Sequence, residues 1–311
     1  ITPRGAILPV SYQPDLGPTL NRKTDVWAYR VQRYWEEAVS RQWNVSTDVP
    51  WQDLAKYDIP LELEIAFCQL CTLLSEVEMI ATDLPAKWSH HMNSYFQEVK
   101  GFISSQCLDE ARHSEVFRKR ALANGVGLLK ASVRSEHALK GILEADSYSE
   151  GSVFLHVLGE GFILTLFRSS EFISPTPVEQ RMFQLVMQDE ARHVSYGLQH
   201  LKYLMDNAPE HRAQINLFLD EAETLIRRAL VEEHLSGLEF DRSHFTSREH
   251  VRCENGVRQR RRGAEFRAAR SRVPLDAAHR QFHLRGHGLE IAGGFERDRV
   301  ELLLRITEGF F

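Results

Sequence analysis

"LDEARHSEV" at Leu108–Val116 and "QDEARHVSY" at Gln188–Tyr196 contain the same five residues, Asp-Glu-Ala-Arg-His, eighty positions apart. In a helix, residues three apart lie on the same face. Glu110 therefore projects together with His113, and Glu190 projects together with His193. A Glu-x-x-His pair on each of two helices is half of a ligand set found in metal-binding four-helix bundles. The other half is one Glu from each of the two remaining helices.

The second motif has a suitable upstream carboxylate. Glu160 lies thirty residues before Glu190, and the helix-breaking "SPTP" at Ser174–Pro177 stands midway, where a helical hairpin has to turn. Glu160 is the only acid in the apolar stretch Val153–Phe167. An unpaired carboxylate in such a helix would be costly, which favours a paired or metal-bound Glu160.

The first motif has two candidate partners, Glu76 and Glu78, which lie thirty-four and thirty-two residues before Glu110. The apolar periodicity favours Glu78. The pattern of a small residue followed by Glu, shared by Ser75-Glu76 and Gly159-Glu160, favours Glu76. We predict Glu76 as the ligand and keep Glu78 as the alternative.

The complete predicted ligand set is four carboxylates and two imidazoles. Such oxygen-rich ligands with two His suit iron or manganese. The predicted cofactor is two iron ions, with manganese as an alternative at one site. The competing interpretation is that both motifs are exposed, salt-bridged helix faces. The predicted metal ligands are Glu76, Glu110, His113, Glu160, Glu190 and His193.

Apolar residues recur at helical spacing along most of the chain, and no strand pattern is evident, so the predicted fold class is all-α. We expect a four-helix bundle over 60–236, preceded by an arm and a helix over 1–59. From Arg248 to the end the chain has fourteen Arg and no Lys, so 237–311 is predicted to be an Arg-rich, poorly ordered or atypical tail. The predicted helices are 25–39, 61–84, 94–125, 128–145, 149–172, 178–207 and 213–235.

Composition and charge indicate which partners and which cellular compartment to expect. The net charge of −5 argues against a generic binder of nucleic acid or anionic membranes. The four Cys form no disulfide framework, which favours a reduced, cytoplasmic compartment, and Cys68-x-x-Cys71 is interpreted as two packed thiols. The most apolar stretch, Val153–Phe167, is too short to span a bilayer.

With these motifs, residues 60–235 resemble the ferritin-like di-iron carboxylate superfamily. This group includes ferritins, rubrerythrins, the ribonucleotide reductase small subunit and the p-aminobenzoate N-oxygenase type. The resemblance implies a bundle that holds two irons near its centre. It also implies that Asp109 and Asp189 orient the ligand His, each four residues before its own His. Arg112 and Arg192 would balance charge, with a solvated helix face as the alternative for this pair.

At three positions the sequence differs from motifs of individual members of this group. Phe117 occupies the usual place of a radical Tyr, Leu164 the place of a Thr in multicomponent hydroxylases, and Val186 the place of an added His ligand in the N-oxygenase type. His156, one turn before Glu160, is interpreted as a hydrogen-bonded neighbour of the site, with ligation as the alternative.

The resemblance implies an oxidoreductase that activates O2 to hydroxylate, N-oxygenate or desaturate a small organic substrate. No flavin or nicotinamide fingerprint is found, so an external electron donor is expected. A homodimer is compatible with the sequence, and membrane or nucleic-acid partners are not expected. The alternatives are a ferroxidase or iron-handling protein, and a bundle with a non-catalytic polar core. The predicted pocket residues are Phe67, Leu73, Cys107, Phe117, Val157, Leu164, Val186 and Tyr196.

Overall fold

A computed structural model describes residues 22–93, 95–130 and 139–236, with side chains described through 226. Six long helices organise this part of the chain, and it contains no strand, which confirms the all-α prediction. The Arg-rich tail and the first twenty-one residues lie outside the described residues. The helices are α1 (Val31–Ser40), α2 (Leu61–His91), α3 (Gln97–Ala123), α4 (Tyr148–Ile173), α5 (Pro177–Asn207) and α6 (Arg212–Ser236).

Two helical hairpins, α2–α3 and α4–α5, form the four-helix bundle. Helix α1 packs on α3 and α5, and α6 packs on the first half of α4. The loop after α1 is part of the same core, since Trp43, Val45 and Leu54 belong to one apolar cluster with side chains of α2, α3 and α5. The predicted domain limits at 59/60 and 236/237 stay a prediction.

Helix boundaries follow local chemistry. Pro177 stands in the first turn of α5, and the Thr176 side chain accepts a hydrogen bond from the Val178 backbone N–H, which caps the helix. The prediction that the first helix starts at Asp25 is wrong. Helix α1 starts at Val31 because Arg30 has a left-handed backbone with φ of 59°. Helix α2 continues past Leu84, through Pro85, to His91.

Two of these helices, α2 and α4, are long and apolar enough to meet a composition test for membrane spans. That test is weak here, because core helices of globular bundles also meet it. Both helices carry a buried glutamate, Glu78 in α2 and Glu160 in α4. Their apolar faces contribute to the bundle core.

Helix α4 contains a π-helical segment, Val153–Gly159, immediately before Glu160. Wider turns of this kind inside α-helices are frequent at functional sites. Only glycine fits at position 159, because a Cβ there would lie 2.7 Å from the Phe154 backbone carbonyl oxygen. The segment therefore sets how Glu160 and His156 enter the bundle.

Candidate metal centre

Six side chains from all four bundle helices converge at the bundle centre. Helix α2 contributes Glu78 and α4 contributes Glu160, while α3 and α5 each contribute a Glu-x-x-His pair. All six are buried, at most 4% exposed. They form two overlapping groups, in each of which the ligand atoms lie within 4.8 Å of one another. The groups are Glu78, Glu110, His113 and Glu190, and Glu110, Glu160, Glu190 and His193.

The structure places Glu78, the alternative of the sequence analysis, in the cluster instead of the predicted Glu76. Glu78 is 2% exposed and shares its helix face with the buried Cys71, Leu74 and Ala81. Glu76 is only half-buried and contributes no atom to either group. The side chain that joins the cluster is the one that the apolar periodicity favours, not the one favoured by the match between Ser75-Glu76 and Gly159-Glu160. The other five predicted residues are all brought together.

Both imidazoles turn Nδ1 towards the carboxylates. His113 Nδ1 lies 3.0 Å from Glu110 Oε2 and 3.1 Å from Glu190 Oε1. His193 Nδ1 lies 3.0 Å from Glu110 Oε1 and 3.4 Å from Glu190 Oε2. Glu110 and Glu190 thus each approach both His rings. Carboxylates in such shared positions can bridge two metal ions.

The outward Nε2 atoms face aspartates, but of the opposite motif. His113 Nε2 lies 3.2 Å from Asp189, and His193 Nε2 lies 3.3 Å from Asp109. The two aspartates thus contact the His side chains of the cluster, as the resemblance implies, but each contacts the His of the other motif. The helices cross so that each Asp reaches the neighbouring helix. An acceptor at Nε2 fixes the ring proton there and leaves the Nδ1 lone pair facing the cluster.

Two buried arginines connect these aspartates. Arg112 donates to Asp109 at 2.6 Å and to Asp189 at 2.7 Å. Arg192 donates to the same pair of aspartates. Burial alone would lower the pKa of Arg192, but Asp109 and Asp189 outweigh it and raise the pKa. The two cations balance the two aspartates, so these arginines are not a solvated face.

Sequence reasoning missed the residues of the loop after α1. Trp43 donates from Nε1 to Asp189 at 2.7 Å, and its ring lies parallel to that of His113, with centroids 6.3 Å apart. The Gln42 side chain accepts from Arg112. No periodic pattern links this loop to positions 146 residues away, so the sequence alone carried no signal for the contact.

A hydrogen-bonded chain supports Glu160. Gln106 donates from Nε2 to Glu160 Oε1 at 2.9 Å, and its Oε1 lies 2.9 Å from His156 Nε2. Ser152 Oγ lies 2.9 Å from His156 Nδ1. Burial, followed by the charge of His193, lowers the pKa of His156 to about 3, so the ring is neutral near neutral pH. His156 reaches Glu160 only through Gln106, in accord with its interpretation as a neighbour of the site.

The cluster has the charge and unsatisfied atoms expected of a metal site. Among the described residues, Glu78 Oε1, Glu160 Oε2, Glu190 Oε2 and His193 Nδ1 are buried and make no hydrogen bond of good geometry, although His193 Nδ1 lies close to two carboxylates. Burial, strengthened by neighbouring carboxylates, raises the pKa of Glu78 and Glu160 well above the usual range. Burial would also raise the pKa of Glu110, but His193 and His113 lower it well below that range. Metal cations would provide the missing partners, so these residues fit a dinuclear centre.

An apolar cavity of about 280 Å³ opens onto three of the carboxylates, Glu78, Glu160 and Glu190. Apart from these three, its lining residues are aliphatic, Phe or Gly, and come from α2, α4, α6 and residues 139 and 142. Of the eight predicted pocket residues, only Leu73 lines it. Tyr196 is instead core, stacked on Phe102 with ring centroids 4.1 Å apart and hydrogen-bonded to Tyr148.

Solved structures similar to this one include variants of an R2-like ligand-binding oxidase. Two are variants of an R2-like ligand-binding oxidase with aerobically reconstituted Mn/Fe cofactor, each 16% identical to this chain. They cover 77% and 76% of this chain and 93% of their own, with TM-scores of 0.56 and 0.57. A third, with an Fe/Fe cofactor, is 17% identical over 76% of this chain and 93% of its own, with a TM-score of 0.54. No family model and no curated protein matches the chain. At such identities the likeness shows a shared fold.

Proposed function

We propose that the chain is a dinuclear metal oxidoreductase that uses O2 to oxidise a small, largely apolar organic substrate. The single observation that carries the proposal is the pair of overlapping Glu/His groups beside an apolar cavity. The Mn/Fe and Fe/Fe cofactors of structures with the same fold support iron, or iron with manganese, as the metals. The proposed ligands are Glu78, Glu110, His113, Glu160, Glu190 and His193.

When bound, the metal pair supplies the electrons that reduce O2. The protein's own residues hold that pair and exclude water. Asp109 and Asp189 keep the proton of each ligand His on Nε2, so that the Nδ1 lone pair faces inward and can bind a metal ion. Gln106 holds Glu160 Oε1 through an amide N–H and leaves Oε2 without a protein partner in the described part of the chain.

The cavity favours substrate oxidation over iron storage. An iron-handling protein needs no enclosed apolar space, whereas an oxidase needs one to hold substrate and exclude water. Hydroxylation, N-oxygenation and desaturation are the proposed reaction types. An external electron donor, a cytoplasmic location and a homodimer belong to the same proposal. Free thiols at Cys68, Cys71 and Cys107 support the reduced compartment.

The test measures product formation from O2 in the parent chain and in a variant whose cavity is blocked. The full chain is loaded anaerobically with Fe(II), or with Mn(II) and Fe(II), and exposed to ¹⁸O2 with cyclohexane and aniline as probes. Label in the product indicates oxygenation, and loss of two hydrogens without label indicates desaturation. Leu73→Trp should abolish product formation because Leu73 lines the cavity, whereas Leu63→Trp, exposed on the same helix, should not.

Iron handling predicts a different outcome. Ferric iron would accumulate well beyond two ions per chain, and Leu73→Trp would oxidise Fe(II) at the same rate as Leu63→Trp. That combination would replace the oxidase proposal with the iron-handling one.

A further inference from the structure

The two halves of the metal centre differ in the side chains that stand before their ligands. In one half, α4 places Ser152 and His156 eight and four residues before Glu160. Helix α3 adds Gln106, four residues before Glu110. All three of these polar residues are buried. In the other half, the equivalent positions in α2 and α5 are aliphatic, namely Leu70, Leu74 and Val186.

The three polar side chains form a hydrogen-bonded chain with one direction, which ends on Glu160. A metal-bound carboxylate can only accept, so Gln106 donates from Nε2 to Glu160 Oε1 at 2.9 Å. The amide oxygen of Gln106 then accepts from His156 Nε2 at 2.9 Å. This tautomer leaves His156 Nδ1 to accept from Ser152 Oγ, also at 2.9 Å. The chain therefore fixes which end of the Gln106 amide faces the carboxylate.

Glu78, the equivalent carboxylate of the other half, has no comparable support. Its Oε1 has no hydrogen-bond partner in the described part of the chain, and its Oε2 lies 3.8 Å from His113 Nδ1. Thr82, one turn later, donates to the backbone carbonyl of Glu78 and not to its carboxylate. The two carboxylates that belong to only one metal position each are thus held in different ways.

A glycine makes room for the polar chain. A Cβ at Gly197 would lie 2.4 Å from His156 Cβ, so α5 can pass His156 only because position 197 is Gly. Eighty residues earlier, at the same distance after the first motif, stands the buried aromatic residue Phe117. Buried polar groups are unfavourable where aliphatic residues would suffice. A polar chain and a glycine on one side only therefore indicate a role beyond packing.

We propose that Gln106, His156 and Ser152 are positioning residues that hold Glu160 for the metal position it shares with His193. The other metal position, with Glu78 and His113, binds its ion without them. This inference rests on the proposed dinuclear centre. Gln106 Nε2 also lies 3.4 Å from Glu110, a ligand common to both positions, but this contact is longer than the 2.9 Å to Glu160. The main effect of the chain therefore falls on one of the two ions.

Stepwise titration of the metal-free full chain with Mn(II), followed by electron paramagnetic resonance, tests the proposal. Gln106→Val and His156→Leu introduce the residue types that the other half already has at these positions. Each variant should weaken the binding of one ion about 10- to 100-fold, as is usual when a ligand loses its orienting hydrogen bond, and leave the other nearly unchanged. The titration uses neither O2 nor substrate, so its result does not depend on oxidase activity.

The spectrum of the remaining ion identifies the position that has lost its metal. Gln106→Val with one ion bound should show isolated Mn(II) in place of a coupled pair. Its spectrum should match that of Glu160→Ala, in which the ion stays beside His113. It should differ from that of Glu78→Ala, in which the ion stays beside His193. A match to Glu78→Ala would overturn the proposal.

Two further comparisons separate positioning from a general loss of structure. His156→Gln keeps a side-chain N–H that can donate to Gln106, so it should retain more of the weakened ion than His156→Leu does. Ser152→Ala should weaken the same ion several-fold, whereas Ser105→Ala should not. Both serines are buried, but the Ser105 hydroxyl donates to the Phe102 backbone carbonyl. This pair decides the question even if Gln106→Val does not fold.

The outcomes also separate this proposal from the proposed function. A parent chain that binds less than one ion would overturn the dinuclear centre and the positioning role together. A parent that binds two ions, with both ions weakened equally or neither weakened in the variants, would overturn the positioning role alone.

Discussion

Gly197→Ala tests the contact between α5 and the π-helical segment. A Cβ at Gly197 would lie 2.4 Å from His156 Cβ, well inside van der Waals contact. His156 is buried and held at both ring nitrogens, by Gln106 and Ser152, so it cannot move without losing a hydrogen bond. Overpacking of this kind costs about 1–3 kcal/mol.

The matched control is Gly161→Ala, on α4 five residues after His156. A Cβ at Gly161 meets nothing within 4 Å, so this variant should gain about 0.5–1 kcal/mol from the better helix propensity of Ala. The difference between the two alanine variants isolates the clash. It should appear as a melting temperature lower by at least about 2 °C in Gly197→Ala, measured by circular dichroism.

The same variant should disturb the metal centre. Displacement of His156 removes the donor that orients Gln106 through its amide oxygen, and Gln106 is the amide donor to Glu160. Metal content after loading should therefore fall in Gly197→Ala and be retained in Gly161→Ala. Equal stability and equal metal content in the two variants would refute the reasoning that links the π-helical segment to Glu160.

Two further substitutions test other parts of the account. Glu78→Ala should lose bound metal, whereas Glu76→Ala should retain it, as measured by elemental analysis; the reverse result would restore the sequence-based ligand. Burial alone would raise the pKa of Glu64, but its hydrogen bonds to the Arg120 guanidinium and the charge of that group outweigh burial and lower the pKa below 4.5. The stabilisation by ionised Glu64 is then present above about pH 4.5 and is lost as the pH falls through the lowered value. Glu64→Gln should be less stable than the parent at pH 7 in urea, with a difference that shrinks in acid, while the exposed Glu62→Gln should show neither effect; a constant difference across pH would contradict this.

The parts of the centre that obey helical periodicity could be predicted from sequence. The i, i+3 spacing placed His113 with Glu110 and His193 with Glu190, and the breaker at Ser174–Pro177 placed Glu160 opposite the second pair. Each of these relations depends on one helix or one hairpin. The structure confirms the all-α bundle for the same reason.

The parts that depend on crossing geometry or irregular backbone could not be predicted. Which Asp faces which His depends on the angle between α3 and α5, and the contact of Trp43 depends on a loop without periodicity. Gln106 carried a usable signal, since it lies one turn before Glu110 on the same face, yet an amide there has many uses. The choice between Glu76 and Glu78 required weighing burial above a local sequence match.

Metal stoichiometry of the purified full chain, after anaerobic loading with Fe(II), alone or with Mn(II), and removal of excess metal, tests the central claim most directly. The account predicts about two metal ions per chain, and a visible absorption change on exposure to O2. Fewer than about one metal ion per chain under both loading conditions would contradict it, and the six converging side chains would then be a buried polar network alone.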